Sequence, residues 1–401
     1  MTSAEQLDQV FVSLKQWLLG QLGGVLPAWA LPVVSAMISI SAILMVFPFI
    51  FALTTVIERK VLGRIQNRYG PNRVGLPFTN LRLAGFGQFI ADGLKSLTKE
   101  DVVPRAADKV VHLLAPIVLV VVVVLGYAVL PVGKNMTPLD LDAGLLFFFA
   151  VGSGTELAIF MAGWSSRNKY SLLGAMRAIA QMVSYELPLV LSTVSVVMMT
   201  GTLSPSKIAE LQAGGFWNWH AATPWGLAGF LLFLVASIAE ANRSPFDMPE
   251  AESEIIAGYF TEYSGFKFAL FFLAEYLGLF AMSGMAITLF LGGWQAPLPF
   301  LEVIPSWLWF FAKLGAFILF FIWLRGTVPR LRADQLMGFA WKFMLPLVLL
   351  NLVVAGVWRF MGEGIARWVV CSLMLVVPYL WLGNGLNARA AWAKRTYRYA
   401  E

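Results

Sequence analysis

Long apolar runs separated by short polar segments extend along nearly the whole chain. A run of about 20 residues with few charges is long enough to cross the hydrocarbon core of a bilayer as an α-helix. We therefore predict nine transmembrane helices, at residues 33–57, 113–132, 143–163, 178–201, 225–239, 268–291, 304–324, 338–357 and 366–386. The fifth run is short for a span unless residues 221–224 extend it.

Residues 79–100 have a different pattern. Apolar side chains recur at helical spacing, and charged side chains occupy another face. The apolar set is Phe86, Phe89, Ile90, Leu94 and Leu97, and the charged set is Asp92, Lys95 and Lys99. One apolar and one charged face are typical of a helix that lies at the membrane surface. We predict an amphipathic surface helix here.

The composition agrees with this pattern. The chain has 401 residues, of which 59% are hydrophobic and 13% are charged. These values exclude an ordinary soluble domain. We predict an all-α, polytopic membrane protein with one integral membrane domain over residues 1–401. The net charge of +6 does not indicate nucleic-acid binding, because the positive residues lie in loops between the spans.

The distribution of Lys and Arg between the loops predicts the orientation. With nine alternating spans, the loops on one side carry most of the 29 Lys and Arg residues. The other side carries only Lys15, Lys134, Lys207, Arg359 and Arg367. The positive-inside rule then places the N-terminus outside and the C-terminus in the cytoplasm. The surface helix and the basic loop that follows residue 57 lie on the cytoplasmic side in this arrangement.

Four charged residues lie well inside predicted spans rather than near their ends, namely Glu156, Glu186, Glu275 and Lys313. A charged side chain costs a few kcal/mol at the centre of a bilayer, even by insertion scales. Two interpretations stay open for each residue. It either ties helices together through polar contacts or belongs to an ion or proton path.

The stretch from residue 240 to residue 262 concentrates acidic side chains between two apolar runs. Its carboxylates are Glu240, Asp247, Glu250, Glu252, Glu254 and Glu262. Like charges at helical spacing oppose one another, so such a cluster can exchange protons and respond to a nearby charge. Pro245 and Pro249 indicate a rigid, irregular connection. The alternative is a solvated loop with surplus acid.

Cysteine and histidine are too few for a redox centre. Cys371 is the single cysteine, and the two histidines, His112 and His220, are far apart in sequence. One thiol cannot hold an iron–sulfur cluster or a structural zinc ion. We interpret all three residues as structural and expect no bound metal. Any electron transfer is then expected to occur in a partner protein.

Seven motifs resemble, in order, those of the H subunit of the bacterial proton-pumping NADH:quinone oxidoreductase, respiratory complex I, whose mitochondrial counterpart is subunit 1. The motifs are ERKVLG at 58–63, QNRYGPNRVG at 66–75, ADGLK at 91–95, SYE at 184–186, AEANRSPFD at 239–247, FFLAEY at 271–276 and RGTVPRLRADQLM at 325–337. The resemblance covers about residues 33–357.

This resemblance implies a role for each matching residue. The residues implied to line or shape a quinone chamber are Arg59, Asp92, Phe246 and Arg325. Those implied to form an acidic proton path are Glu186, Glu240, Glu250, Glu252, Glu254, Glu262 and Glu275. Those implied to stabilise the loops are Glu58, Arg68, Arg73, Arg177, Arg243, Arg330 and Asp334. Glu156 receives no role from it.

The resemblance also implies the partners and the location. Quinone, either ubiquinone or menaquinone, is the implied substrate, and this chain carries no cofactor. FMN, the iron–sulfur clusters and the NADH site belong to partner subunits of the hydrophilic arm. Small membrane subunits lie between this chain and antiporter-like pumps, and the whole resides in the bacterial cytoplasmic (inner) membrane.

Two departures and two alternatives accompany this interpretation. The segment 76–87 is longer than is usual in the family, and the ninth span, 366–386, lies beyond the family's eight-helix core. One alternative is the homologous membrane subunit of a membrane-bound hydrogenase. The other is a stand-alone ion-coupled transporter, although the paired halves typical of such proteins are not found.

Overall fold

The computed structural model describes residues 3–23, 27, 29–75, 83–248 and 257–390. Helices account for 76% of the structure, and no strand occurs in the described residues. The helices are α1 (Ser3–Gly23), α2 (Leu31–Ile65), α3 (Gln88–Thr98), α4 (Lys109–Gly126), α5 (Gly144–Gly152), α6 (Gly154–Ser165), α7 (Lys169–Thr200), α8 (Pro205–Glu210), α9 (Pro224–Glu240), α10 (Gly265–Phe290), α11 (Ser306–Thr327), α12 (Ala333–Phe339), α13 (Leu345–Phe360) and α14 (Ile365–Ala390).

Eight apolar segments in the described residues are long enough to cross a membrane. They correspond to α2, α4, the pair α5 and α6, α7, α10, α11, the pair α12 and α13, and α14. The remaining predicted span, the fifth at residues 225–239, corresponds to α9, an apolar helix of 17 residues. Of residues 221–224, only Pro224 joins the helix, because a separate 3₁₀ turn ends at Ala222 and the Thr223 hydroxyl caps the backbone N–H of Gly226. The predicted all-α polytopic fold is confirmed.

Two helices extend beyond their apolar runs. The sequence pattern ends the first span at residue 57 and begins the fourth at residue 178, but α2 continues to Ile65 and α7 begins at Lys169. At a rise of about 1.5 Å per residue, each is roughly 50 Å long, against about 30 Å for the hydrocarbon core. Apolar length marks only the part of a helix inside the bilayer, so it misses such extensions.

The centre of the bundle consists of α7, α9 and α10. α7 packs against α6, α9 and α13, and α4 packs against α6 and α10. The large, fully buried side chains include Tyr185 on α7, Phe233 on α9 and Phe280 on α10. By contrast, α2 and α14 bury little of their surface inside the chain. These two helices form the periphery of the bundle.

The N-terminal helix α1 is attached to the bundle by polar contacts at two places. The carboxylate of Asp8 accepts hydrogen bonds from the backbone N–H and the hydroxyl of Ser306, at 2.6 and 2.9 Å. The Lys15 ammonium donates to the Ser39 hydroxyl at 2.8 Å. Asp8 thereby caps the N-terminus of α11, where a negative charge is favourable.

The predicted surface helix is present as α3 and is shorter than the predicted range 79–100; residues 76–82 lie outside the described part of the chain. Gly85, just before α3, has a φ of +80°. A Cβ atom there would lie 2.1 Å from the carbonyl oxygen of Pro71. Close backbone contact therefore fixes the start of this segment against the basic turn that contains Pro71.

Replacing Gly85 with Ala is expected to detach this segment. Both the positive φ and the clash oppose a Cβ atom, at a cost of about 1–3 kcal/mol. The expected result is a lower apparent melting temperature of the purified protein and faster proteolysis near Pro71. The control is Gly93→Ala on α3, where a Cβ atom meets nothing within 4 Å. Equal behaviour of the two variants would contradict this account.

Candidate functional site

A buried ion pair lies where α2, α10 and α11 meet. Glu58 is 6% exposed and accepts a hydrogen bond from the guanidinium of Arg325 at one carboxylate oxygen. Its other oxygen accepts from the Tyr276 hydroxyl at 2.5 Å. The guanidinium of Arg243 lies over the Tyr276 ring, 3.8 Å from its centroid. We call these four residues the Glu58 network.

The close approach of α2 and α11 makes this pair possible. Gly326 follows Arg325 in the last turn of α11, and a Cβ atom on Gly326 would lie 2.7 Å from a side-chain carbon of Ile65. Without a Cβ atom at this position, the two helices bring Arg325 within reach of Glu58. A charge-assisted hydrogen bond in a buried setting is stronger than a neutral one. The pair thus joins the two helices at this end of the bundle.

A second ion pair links α2 to the surface helix. The Arg59 guanidinium lies 2.7 Å from the Asp92 carboxylate, and both side chains are partly exposed. Gln88 donates a hydrogen bond to the same carboxylate at 2.9 Å. Lys60 donates to the carbonyl oxygen of Ala84 at 2.5 Å. Three of the residues predicted for the chamber, Arg59, Asp92 and Arg325, are therefore grouped around the last turns of α2.

Phe246, the fourth predicted chamber residue, is packed inside the bundle. Its ring contacts Tyr185 edge-to-face at 5.4 Å and stacks on Phe339 at 6.5 Å. Its carbonyl oxygen accepts a hydrogen bond from the Gln181 amide at 2.6 Å. The same amide also donates to the carbonyl oxygen of Ala239 at 2.7 Å. Gln181 thereby holds the loop that follows α9 against α7.

The loop after α9 is also tied to the chain that precedes α12. The Arg330 guanidinium pairs with the buried Asp247 carboxylate at 2.9 Å. The backbone N–H of Leu331 donates to the carbonyl oxygen of Pro245 at 3.2 Å. Two further residues predicted to stabilise loops have local partners: Asp334 pairs with Arg332 at 2.6 Å, and Arg68 donates to Gln66 at 2.7 Å.

A second polar site is a cavity of about 70 Å³ among α4, α6, α9 and α10, which Glu240 and Glu275 both line. Glu275 accepts a hydrogen bond from the Tyr259 hydroxyl at 3.0 Å. One carboxylate oxygen of Glu240 is buried and has no hydrogen-bond partner among the described residues. We call this space the acidic cavity.

Two more carboxylates lie beside the acidic cavity. Glu156 on α6 and Glu186 on α7 are close enough that their charges interact with each other and with Glu240. One oxygen of Glu156 is also buried without a partner in the described part of the chain. Four helices thus each contribute one carboxylate. This arrangement favours a shared proton, because four neighbouring negative charges would repel one another in a medium of low dielectric constant.

The Glu58 network and the acidic cavity adjoin through two short connections. Glu275, at the cavity, and Tyr276, in the network, are consecutive residues of α10. Glu240, at the cavity, is the last residue of α9, and Arg243, in the network, follows three residues later. Asn242 lies between them at a φ of +50°, a conformation that Asn tolerates better than most residues. The two sites are therefore joined by short stretches of backbone.

Glu262 lies apart from this pair of sites. Its carboxylate accepts a hydrogen bond from Asn168, the N-cap residue of α7, at 2.6 Å. The neighbouring Tyr263 stacks on His112 at 3.9 Å, and burial raises the pKa of Tyr263 to about 12. The remaining predicted acidic residues, Glu250, Glu252 and Glu254, lie outside the described residues.

Lys313 is fully engaged in structural contacts. Its ammonium donates hydrogen bonds to three carbonyl oxygens that follow the C-terminus of α10: those of Leu291 at 2.7 Å, Gly293 at 2.9 Å and Gln295 at 2.8 Å. It also lies over the Trp219 ring, 4.2 Å from the centroid. A cation at a helix C-terminus satisfies orphan carbonyl groups and interacts favourably with the dipole. Of the two interpretations of Lys313, the geometry favours the structural one.

Lys313→Met is therefore expected to destabilise the protein without changing any transport it supports. Three carbonyl oxygens lose a charged donor, each worth about 1–3 kcal/mol at a buried site. The apparent melting temperature should fall, whereas the ratio of protons moved to electrons transferred should stay the same. Lys313→Arg should restore part of the stability. An altered ratio at normal stability would place Lys313 in an ion path instead.

Two contributors to the site have no role assigned from the sequence. Tyr276 lies within a recognised motif and follows the intramembrane Glu275 directly, and its hydroxyl needs a partner in an apolar setting. Glu156 is intramembrane by its position, but its neighbours come from other helices, so the sequence does not group it with them. Of the residues interpreted as structural, His220 contacts the carbonyl oxygen of Leu289 through Nδ1 at 2.7 Å, and burial lowers its pKa.

The described residues contain no group of three or more His, Cys, Asp or Glu residues that could hold a metal ion. The fold and the two polar sites define a class: a polytopic helical membrane protein with a buried carboxylate cluster beside a buried ion pair at one end of the bundle. The sequence of the chain identifies the member of this class.

A sequence model for a family described as NADH dehydrogenase matches residues 38–356. The H subunit of NADH-quinone oxidoreductase from Dehalococcoides mccartyi (strain CBDB1) is 50% identical over 323 residues, which cover 80% of this chain and 86% of the relative. An H subunit of the same oxidoreductase from Koribacter versatilis (strain Ellin345) is 43% identical over 349 residues, 81% of this chain and 97% of the relative. The chain therefore belongs to the H-subunit family of NADH-quinone oxidoreductase, and the resemblance drawn from its motifs is confirmed.

Proposed function

We propose that this chain is the membrane subunit in which quinone reduction is coupled to proton translocation. The quinone head group binds beside Arg59, Asp92 and Arg325, and Phe246 contributes to the shape of the chamber. The observation that carries the proposal is the direct succession of Glu275 and Tyr276 on α10. One residue faces the acidic cavity, and the next belongs to the Glu58 network at the proposed chamber.

The coupling step follows from charge. Reduction of a quinone to a quinol takes up two electrons and two protons, and the electrons arrive from the partner subunits. The developing negative charge attracts Arg325, which weakens the hold of Arg325 on Glu58. Glu58 then depends more on the Tyr276 hydroxyl. A displaced Tyr276 moves Arg243 and the end of α9, which carries Glu240.

The acidic cavity responds by changing its protonation. A positive guanidinium that approaches Glu240 or Glu275 stabilises the ionised form, and one that withdraws stabilises the protonated form. The proposed path continues from Glu186, Glu240 and Glu275 through Glu250, Glu252 and Glu254 toward Glu262. Through this path, a change in the protonation of the carboxylates is passed to the neighbouring pump subunits.

The proposal includes the surroundings of the chain. The subunit resides in the bacterial cytoplasmic membrane with its C-terminus in the cytoplasm, as the Lys and Arg distribution favours. Hydrophilic-arm subunits bind above the extended end of α2 and supply the NADH site, FMN and the iron–sulfur clusters. Small membrane subunits connect the acidic path to antiporter-like pumps.

Quinone-analogue photolabelling of the assembled complex tests the chamber. A photoreactive head-group analogue is expected to label residues within 58–100, and excess natural quinone should prevent the labelling. Asp92→Asn, which removes the negative partner of Arg59, should weaken the labelling, whereas Asp142→Asn, in an exposed pair with Lys207, should not. Absence of competable label in this range would overturn the proposal and favour the hydrogenase-type alternative.

A further inference from the structure

A cavity of about 680 Å³ lies between the last helix, α14, and the helices α9 and α13, which α14 also contacts directly. One wall is a face of α9 that includes Leu227 and Leu231. The opposite wall is a face of α14 that includes Trp368, Ser372 and Tyr379, and Phe343 closes the side near α12. Most of the lining is apolar. The α14 wall lies beyond the family match, which ends at residue 356, whereas the α9 wall lies within it.

The length of the cavity matches one leaflet of a bilayer. The lining of α14 extends from Trp368 to Tyr379, which is about 17 Å at 1.5 Å per residue. Half of a hydrocarbon core of about 30 Å is roughly 15 Å. At the deep end, Tyr379 packs edge-to-face on Phe343 at 5.6 Å. The space therefore begins near the membrane surface and ends close to the middle of the bilayer or beyond it.

The volume and the opening decide what fits. A hydrocarbon chain fits. Leu227, Leu231 and Tyr379 are 49%, 51% and 54% exposed, so the cavity opens sideways to the bilayer. A lipid can enter from the membrane without unfolding any helix.

A cation lies close to one end of the cavity lining. Arg367 directly precedes Trp368, and its guanidinium stacks on the Trp358 ring at 4.0 Å. Trp358 in turn packs edge-to-face on Trp368 at 5.1 Å. The Nε–H of Arg367 is buried and has no hydrogen-bond partner among the described residues. Arg359, the other cation at this end, already donates to the carbonyl oxygens of Met198 and Met199.

We propose that this space binds an acyl chain of a phospholipid and that Arg367 donates a hydrogen bond to its phosphate. Arginine suits phosphate because its N–H groups match the geometry of the oxygens. Tryptophan and arginine at this level are also typical of the head-group region. The lipid adds to the direct packing of α14 on α9 and α13.

Photolabelling of the assembled oxidoreductase tests this site. The complex is depleted of lipid in detergent and then titrated with phosphatidylglycerol that carries a diazirine in its acyl chain. Mass spectrometry is expected to find label on Leu227, Leu231 or Ser372. Ser372→Phe fills the space and should reduce this labelling about tenfold, as should Arg367→Gln through loss of a charged hydrogen bond. Leu373→Phe, on the adjacent, exposed position, should leave it unchanged.

Several results would overturn the proposal. The first is equal labelling of the wild type and Ser372→Phe. The second is labelling of these residues by a diazirine-tailed quinone but not by the phospholipid. The wild type alone provides a further test if a variant fails to assemble. Excess unlabelled phosphatidylglycerol should abolish the label at Leu227 and Leu231, and excess diacylglycerol, which lacks phosphate, should compete about tenfold less well.

Discussion

Glu240→Gln is expected to reduce quinone-dependent NADH oxidation in the assembled complex, and the proton translocation coupled to it, by about tenfold to a hundredfold. This corresponds to roughly 1.4–3 kcal/mol of activation free energy. Glutamine keeps the size of the side chain in the acidic cavity but cannot accept and release a proton. Oxidation rates in proteoliposomes, together with acidification of their lumen, measure both effects.

Two controls show whether the effect of Glu240→Gln is specific to the acidic cavity. Glu210→Gln changes an exposed carboxylate on α8 and should have no effect on either rate. NADH oxidation with a water-soluble electron acceptor, which bypasses the membrane, should be normal in both variants. Glu186→Gln and Glu252→Gln are expected to behave like Glu240→Gln. Unchanged rates and an unchanged proton-to-electron ratio in all three would remove the carboxylates from the path.

The second large effect is expected from the buried ion pair. Arg325→Gln removes the cation paired with the buried Glu58 carboxylate, which costs about 3–5 kcal/mol, and Glu58→Gln removes one acceptor from the partly exposed Arg325 guanidinium. Each single variant should lower the apparent melting temperature of the complex and raise the KM for quinone. The double variant should be more stable than the sum of the single effects predicts, because the buried charge of Glu58 is then removed together with Arg325.

Lys207→Gln is the matched control for this pair. It breaks the exposed contact with Asp142, and exposed pairs contribute little, so neither stability nor the KM for quinone should change. Strict additivity of Glu58→Gln and Arg325→Gln would contradict the coupling inferred here. A normal KM in both single variants would separate the pair from the quinone chamber.

Much of the fold could be predicted because apolar run length is a direct consequence of bilayer thickness. Each predicted span corresponds to a helix or a pair of helices. What the pattern could not predict is how far α2 extends beyond the bilayer at its C-terminal end and α7 at its N-terminal end. Their polar extensions are stabilised by partners distant in sequence, such as Tyr276 for Glu58, which lie 218 residues apart.

The site was predicted as a set of residues but not as an arrangement. Glu186 and Glu275 could be singled out from the sequence because a charged side chain inside a membrane is energetically costly. Only the packing of four helices shows that both lie with Glu156 and Glu240, whereas Glu262 lies apart. Lys313 is the contrast, because the same cost singled it out, yet its ammonium satisfies carbonyl groups of the chain reversal after α10, where Gly292 and Gly293 have positive φ angles.

The succession of Glu275 and Tyr276 has a mechanical consequence. Neighbouring residues on an α-helix point about 100° apart, so Glu275 and Tyr276 lie on the same helix but face different sites. Near Gly278 a Cβ atom would meet nothing within 4 Å, whereas at Gly284 it would lie 2.7 Å from Leu130. The helix is therefore in close contact with Leu130 at Gly284, whereas Gly278 borders the acidic cavity. A small rotation of α10 about its axis would turn the side chains of Glu275 and Tyr276 together.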